Sequence, residues 1–98
     1  MTITVLYFAV LRERARCERE TVTLPPGSDV GAARAAIARL HPEIAALLPI
    51  VRTAVNRSLV AELHPLADGD ELALIPPVAG GSHGAARPDA ARVAIGPE

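Results

Sequence analysis

Asp68-Gly69-Asp70-Glu71-Leu72-Ala73-Leu74-Ile75-Pro76-Pro77-Val78-Ala79-Gly80-Gly81 is the stretch on which the reading of this chain turns. Asp-Gly-Asp has the composition of a tight turn, because Asp favours turn geometry and Gly accepts the backbone angles it needs. Glu71 to Ile75 then reads as the last strand, with Leu72 and Leu74 on one face. Pro76 and Pro77 stop it, since neither has an N–H to give to a ladder. Gly80 and Gly81 leave bare backbone just beyond. A stiff stem ending in an unhindered tip suits a chain whose backbone enters another protein's narrow site. The same composition also makes a plain linker, so the residues upstream decide between the two.

Thr2 to Tyr7 is rich in β-branched residues and alternates, with Ile3, Val5 and Tyr7 on one face, which predicts a first strand. Phe8, Leu11 and Ala15 fall at helical spacing among Arg12, Glu13, Arg14 and Arg16, predicting a short helix that packs Phe8 and Leu11 inward. Glu20 to Leu24 is the second strand, with Val22 and Leu24 inward, closed by Pro25-Pro26-Gly27. Ser28 or Asp29 offers a helix cap. Val30, Ala33, Ile37 and Leu40 form one apolar stripe, so the main helix spans about Asp29 to His41, with Arg34 and Arg39 facing away, and Pro42 blocks continuation. Glu43 to Leu48 has room for one further turn. Ile50 to Val55 is a third strand, Asn56-Arg57-Ser58 a tight turn, Leu59-Val60 a short strand and His64-Pro65-Leu66 an extended corner. One main helix against a mixed sheet of four to five strands is a grasp-like α+β arrangement.

Composition narrows the function. At 98 residues there is room for one domain. Half of the residues are hydrophobic, which supports a packed core. A net charge of −1 gives no bulk attraction to nucleic acid or to an anionic membrane. All ten basic residues are Arg, so no lysine is present for Schiff-base or isopeptide chemistry. No stretch approaches the ~20 apolar residues of a membrane span. The single cysteine, Cys17, has no internal disulfide partner, and a cytoplasmic location is expected. Cys17 reads as a loop or edge residue. His41 reads as a favourable charge at a helix end, and His64 as a corner residue. Three scattered His without clustered carboxylates predict no metal site. Arg12, Arg14, Arg16 and Arg19 read as a solvated face rather than a docking stripe.

The ordered blocks Leu6-Tyr7-Phe8-Ala9 with Arg12-Glu13, Ala54-Val55-Asn56, His64-Pro65-Leu66-Ala67-Asp68-Gly69-Asp70-Glu71 and Pro76-Pro77-Val78-Ala79-Gly80-Gly81 resemble the small subunit of molybdopterin synthase over residues 1–81. The resemblance implies a ubiquitin-like β-grasp fold and a sulfur carrier of molybdenum cofactor biosynthesis. In that family the terminal glycine is adenylated by a ubiquitin-activating-like adenylyltransferase that uses ATP. A sulfur donor system converts it to a thiocarboxylate. The loaded arm enters the large synthase subunit, usually in a heterotetramer, and gives sulfur to a cyclic pyranopterin precursor. Carried over, Gly81 is the working terminus and Gly80 gives clearance. Pro76, Pro77, Val78 and Ala79 form the arm, while Leu59, Leu72 and Leu74 are candidate partner contacts by analogy with the family. The chain itself would bind no cofactor, and the catalytic residues would lie on the large subunit.

The chemistry fits those residue types. A site that protects an acyl adenylate must close around the acyl carbon and exclude water, and a side chain on either glycine would obstruct that approach. Prolines have less freedom to lose on threading, which spares very roughly 0.4–1 kcal/mol each. The departure from the family is at the end. The family stops at Gly-Gly, whereas 17 residues follow Gly81 here, and an internal amide cannot be adenylated. Residues 82–98 read as a flexible tail. Three explanations compete: proteolytic exposure of Gly81, a fusion in which Ala91 to Glu98 opens a large-subunit segment, and a decayed extension on an inactive copy. Two further readings of function stay open. One is a carrier for another sulfur pathway, such as thiamine. The other is an interaction module that binds a partner without being activated.

Overall fold

The computed structural model describes residues 1–77. Val78, Ala79, Gly80, Gly81 and residues 82–98 lie outside the described residues. The elements follow as β1 (Thr2–Tyr7), α1 (Ala9–Ala15), β2 (Arg19–Thr23), α2 (Val30–Leu40), α3 (Pro42–Ala45), a 3₁₀ turn (Leu48–Ile50), β3 (Arg52–Val55), β4 (Ser58–Val60) and β5 (Glu71–Ile75). The sheet order is β2-β1-β5-β3-β4. β1 and β5 are parallel, and every other neighbouring pair is antiparallel. This is the mixed sheet and single main helix of a β-grasp, with five strands.

Inward residues alternate as the strands require. Ile3, Val5 and Tyr7 from β1 meet Leu72 and Leu74 from β5, and Val30, Ala33 and Ile37 from α2 close over them. Asp29 caps α2 by accepting from the Ala32 N–H at 2.9 Å. The next free helix donors find partners in the 62–64 loop: Val30 N–H donates to the His64 carbonyl, and Gly31 N–H to that of Glu62. A side chain at Gly31 would meet Glu62 Cγ at 3.0 Å, so glycine permits this close approach. The corner at His64-Pro65-Leu66 thus holds the start of the main helix, and Asp29 and Pro65 form an isolated bridge.

The Asp68-Gly69-Asp70 turn links β1, β5 and the β3–β4 hairpin. Thr2 N–H donates to Asp68 Oδ1 at 2.7 Å, and Gly69 N–H to the Thr2 carbonyl at 2.8 Å. Asp70 accepts from Ala67 N–H through Oδ2 and from the Asn56 side-chain amide through Oδ1. Asn56 Oδ1 in turn accepts from Glu71 N–H. Asn56 and Arg57 both have positive φ, 49° and 76°, which makes them the centre of a two-residue turn matched to strand twist.

Four expectations are corrected. Phe8 is 37 % exposed, because its backbone is still extended and it continues the alternation of β1 onto the outer face. Leu40 is exposed, since α2 ends there before it can turn inward. Arg34 does not face away; its guanidinium donates to the carbonyls of Leu48 and Val51 and ties α2 to the approach of β3. Leu72 and Leu74 are fully buried in the core and cannot contact a partner from the folded domain.

Leu72→Ala is therefore expected to destabilise the domain by about 2–5 kcal/mol, as a core truncation does. A loss under about 0.5 kcal/mol in chemical denaturation would mark it as a surface residue instead. Asp70 gives a pH prediction. The Ala67 N–H and then the Asn56 amide hold its carboxyl below the usual value. Its contribution is full above the ordinary Asp pKa of about 3.9 and is lost as pH falls through the lowered folded-state value. Asp70→Asn should cost no more than about 1 kcal/mol at pH 7, because the group is exposed. Denaturation midpoints of variant and native protein should converge below pH ~3.9.

Candidate functional site

The pairing register sets out the outer face of the sheet. Arg19, Leu6, Ala73, Ala54 and Leu59 are successive partners across β2, β1, β5, β3 and β4, forming one row over all five strands. Phe8 lies two residues beyond Leu6, and Ile75 two beyond Ala73, on the same face. Ala73 and Ala54 are small, so the centre of the row is a depression that Leu6, Phe8 and Ile75 help to wall. Arg12, Arg19 and Arg57 stand on its rim with Glu18 and Glu71. Arg19 and Glu71 approach at 3.7 Å.

β5 is apolar on both faces from Leu72 to Ile75. Leu72 and Leu74 fill the core, whereas Ala73 and Ile75 are half-buried on the open side. A parallel strand pair is ordinarily covered on both faces, and on this side no helix of the described residues covers it. The outer face is thus the apolar surface on which a partner can sit. Of the sequence-derived contacts, Leu59 is on it, 48 % exposed. The residues missed are Leu6, Phe8, Ala73 and Ile75. Their signal was the uninterrupted apolar run of β5: once Leu72 and Leu74 face inward, period two sends Ala73 and Ile75 outward.

The chain continues from the end of β5, the central strand. Pro76 is buried at the end of β5 and Pro77 is exposed. Val78, Ala79, Gly80 and Gly81 continue the chain outside the described residues.

A second group of polar residues gathers at the other edge of the sheet. The Tyr7 hydroxyl donates to Glu20 Oε2 at 2.5 Å. His41 Nε2 lies 2.6 Å from the same oxygen, and Nδ1 lies 3.1 Å from Glu43 Oε2. His41 also meets the Tyr7 ring edge-on, with centroids 5.5 Å apart. Burial opposes a charge on His41, but the hydrogen bonds to Glu20 and Glu43 outweigh it and its pKa stands raised. Burial, then Glu20, pushes the Tyr7 hydroxyl far up. Burial and the same carboxylates raise the Cys17 thiol. The expected absence of clustered carboxylates around the histidines is thus corrected: Glu43 lies two residues beyond His41, and folding brings Glu20 to the same ring from 21 residues away.

Comparison with known proteins gives these features a family. The ThiS family model matches residues 5–81. A molybdopterin synthase sulfur carrier subunit of Chlamydomonas reinhardtii is 37 % identical over 83 residues, which cover 83 % of this chain and 100 % of that protein. The crystal structure of SAMP1 from Haloferax volcanii superposes with a TM-score of 0.76 at 29 % identity, over 83 % of this chain and 100 % of its own. A protein–protein complex of subunits 1 and 2 of the molybdopterin-converting factor from Helicobacter pylori 26695 contains a chain that matches with a TM-score of 0.62. That chain is 29 % identical and is wholly covered, by 83 % of this one. With a β-grasp core, a family match from Val5 to Gly81 and relatives covered over their whole length, this chain belongs to the ThiS family of ubiquitin-like sulfur carriers, alongside molybdopterin synthase sulfur carrier subunits.

Proposed function

We propose that this chain is the sulfur carrier of a molybdopterin synthase and that Gly81, once freed as a chain end, carries the sulfur as a thiocarboxylate. The observation that carries the reading is the extent of the family match, which ends on Gly81, four residues beyond the Pro76-Pro77 stem. Relatives named as molybdopterin synthase sulfur carrier subunits support the pathway.

The steps follow from the chemistry of a carboxylate. Free carboxylate is a poor acyl electrophile. An adenylyltransferase partner uses ATP to form the acyl adenylate and releases pyrophosphate. A sulfur donor then displaces AMP, leaving the thiocarboxylate. The loaded arm enters the large subunit, where the sulfur attacks the pyranopterin precursor and hydrolysis returns the carboxylate. This chain supplies the arm and the docking face, and its partners supply the catalytic groups. The outer face around Leu6, Ala73 and Leu59 is where the large subunit would sit, and the Helicobacter pylori complex of subunits 1 and 2 supports such an assembly. Residues 82–98 must be removed first, because only a terminal carboxylate can be adenylated.

A carrier for another sulfur pathway, such as thiamine, would share every step up to the acceptor. A large-subunit preparation and a thiamine-pathway acceptor, offered in parallel, distinguish the two by which one gains sulfur.

Gly81→Ala, in protein ending at residue 81, should lower adenylation by about 10²-fold, the scale of a small misplacement at a reacting centre. The circular dichroism and unfolding midpoint should not change. Activation at the native rate would remove Gly81 as the terminus. Ala73→Arg should weaken binding to the large subunit by about 30-fold or more, the effect of losing a contact worth 2 kcal/mol or more at an interface centre. Binding by calorimetry unchanged from the native protein would place the interface elsewhere.

A further inference from the structure

We propose that Cys17, Glu20 and His41 form a binding site for one zinc ion. Cys17 Sγ, a carboxylate oxygen of Glu20 and a ring nitrogen of His41 all lie within 4.8 Å of one another. A tetrahedral zinc with bonds of about 2.0–2.3 Å holds its ligands roughly 3.3–3.8 Å apart, so side-chain rotations that open the 2.6 Å His41–Glu20 contact and bring Cys17 Sγ to a similar distance would seat an ion. Thiolate, imidazole and carboxylate together are a zinc donor set, whereas Mg²⁺ and Ca²⁺ take all-oxygen sites. With the thiolate and Glu20 as ligands, the charge on the ion is balanced.

An independent feature is the ring of groups behind the donors. A metal-bound histidine normally gives its other ring N–H to a carboxylate, and a ligating carboxylate is itself hydrogen-bonded. Both are in place. Glu43 Oε2 sits 3.1 Å from His41 Nδ1, which leaves Nε2 to face Glu20, 2.6 Å away. The Tyr7 hydroxyl donates to Glu20 Oε2, the oxygen that also faces His41 Nε2, at 2.5 Å and so fixes the carboxylate in place. The three donors are half-buried, so the ion can enter and water can supply a fourth ligand. Binding removes the thiol proton of Cys17 and any proton on His41 Nε2. Both leave to solvent, and nothing is oxidised or reduced.

The ion would brace the edge of the fold. Cys17 precedes β2, Glu20 lies in β2, and His41 joins α2 to α3. One ion would therefore tie the edge strand to the helical layer. The proposal is independent of the sulfur-carrier reading, since the donors come from residues 17–41 and none from the glycine arm.

The test uses the full reduced chain, stripped with a chelator. Zinc is titrated against a chromophoric competitor, and cobalt is added separately as a spectroscopic substitute. The native protein should bind one equivalent of zinc, melt at a higher temperature when loaded, and show thiolate-to-cobalt charge-transfer absorption. Cys17→Ser, a conservative change at a half-buried position, should keep the native circular dichroism and lose that absorption. It should also lose zinc affinity by more than the roughly 10–100-fold expected for Glu43→Gln behind the histidine. His41→Gln should behave like Cys17→Ser, while His64→Gln, outside the cluster, should bind like the native chain. The proposal is overturned if native protein binds no tighter than Cys17→Ser. It is equally overturned if cobalt shows no thiolate band, or if His64→Gln abolishes binding and His41→Gln does not.

Discussion

The turn at Asp68-Gly69-Asp70 is the joint on which the arrangement depends. Through it Asp68 receives the N–H of Thr2 at the start of β1. Asp70 receives the N–H of Ala67 and the amide of Asn56, and Asn56 receives the N–H of Glu71. These bonds set the register of β5 against β1 on one side and β3 on the other. A slip of one residue would exchange the two faces of β5. Leu72 and Leu74 would leave the core and Ala73 and Ile75 would enter it. The register therefore fixes both the packing and the outer surface on which a partner can dock.

That register also has a consequence for the glycine arm. β5 is the central strand, so the chain leaves the sheet at Pro76 and Pro77 from the end of that central strand rather than from an edge strand. Closing a loop over nearly the whole described chain to pair β1 with β5 carries an entropy cost that grows slowly with length. The buried row Val5, Leu72 and Val55 and the layer of α2 offset it. In the family's chemistry the domain is the rigid handle and the arm is the reactive part.

Much of this was legible in the sequence because local patterns and the core agreed. The alternation in β1, the stripe on α2, the Asp29 cap and the Asn56-Arg57 turn all fall where period and turn chemistry place them. Phe8 was misread because helical spacing and strand alternation compete at the junction of β1 and α1, and the extended backbone wins. Leu72 and Leu74 were correctly paired on one face, but a single apolar strand does not say which face meets the helix. The partners of Arg34, and the convergence of Tyr7 and Glu20 on His41, come from contacts between residues far apart in the chain. No local periodicity encodes those. Composition alone leaves the Pro-Pro-Val-Ala-Gly-Gly stretch as a linker or a working terminus, and only the resemblance of the blocks around it favours the terminus.

The central claim is that Gly81 works as a chain end, although 17 residues follow it. Intact mass spectrometry of the protein isolated from its native cells, grown while the cofactor pathway is active, addresses this directly. A species ending at Gly81, with one carboxylate oxygen replaced by sulfur, is the predicted result. A population that runs unprocessed to Glu98 in those cells, with no thiocarboxylate at Gly81, would contradict it.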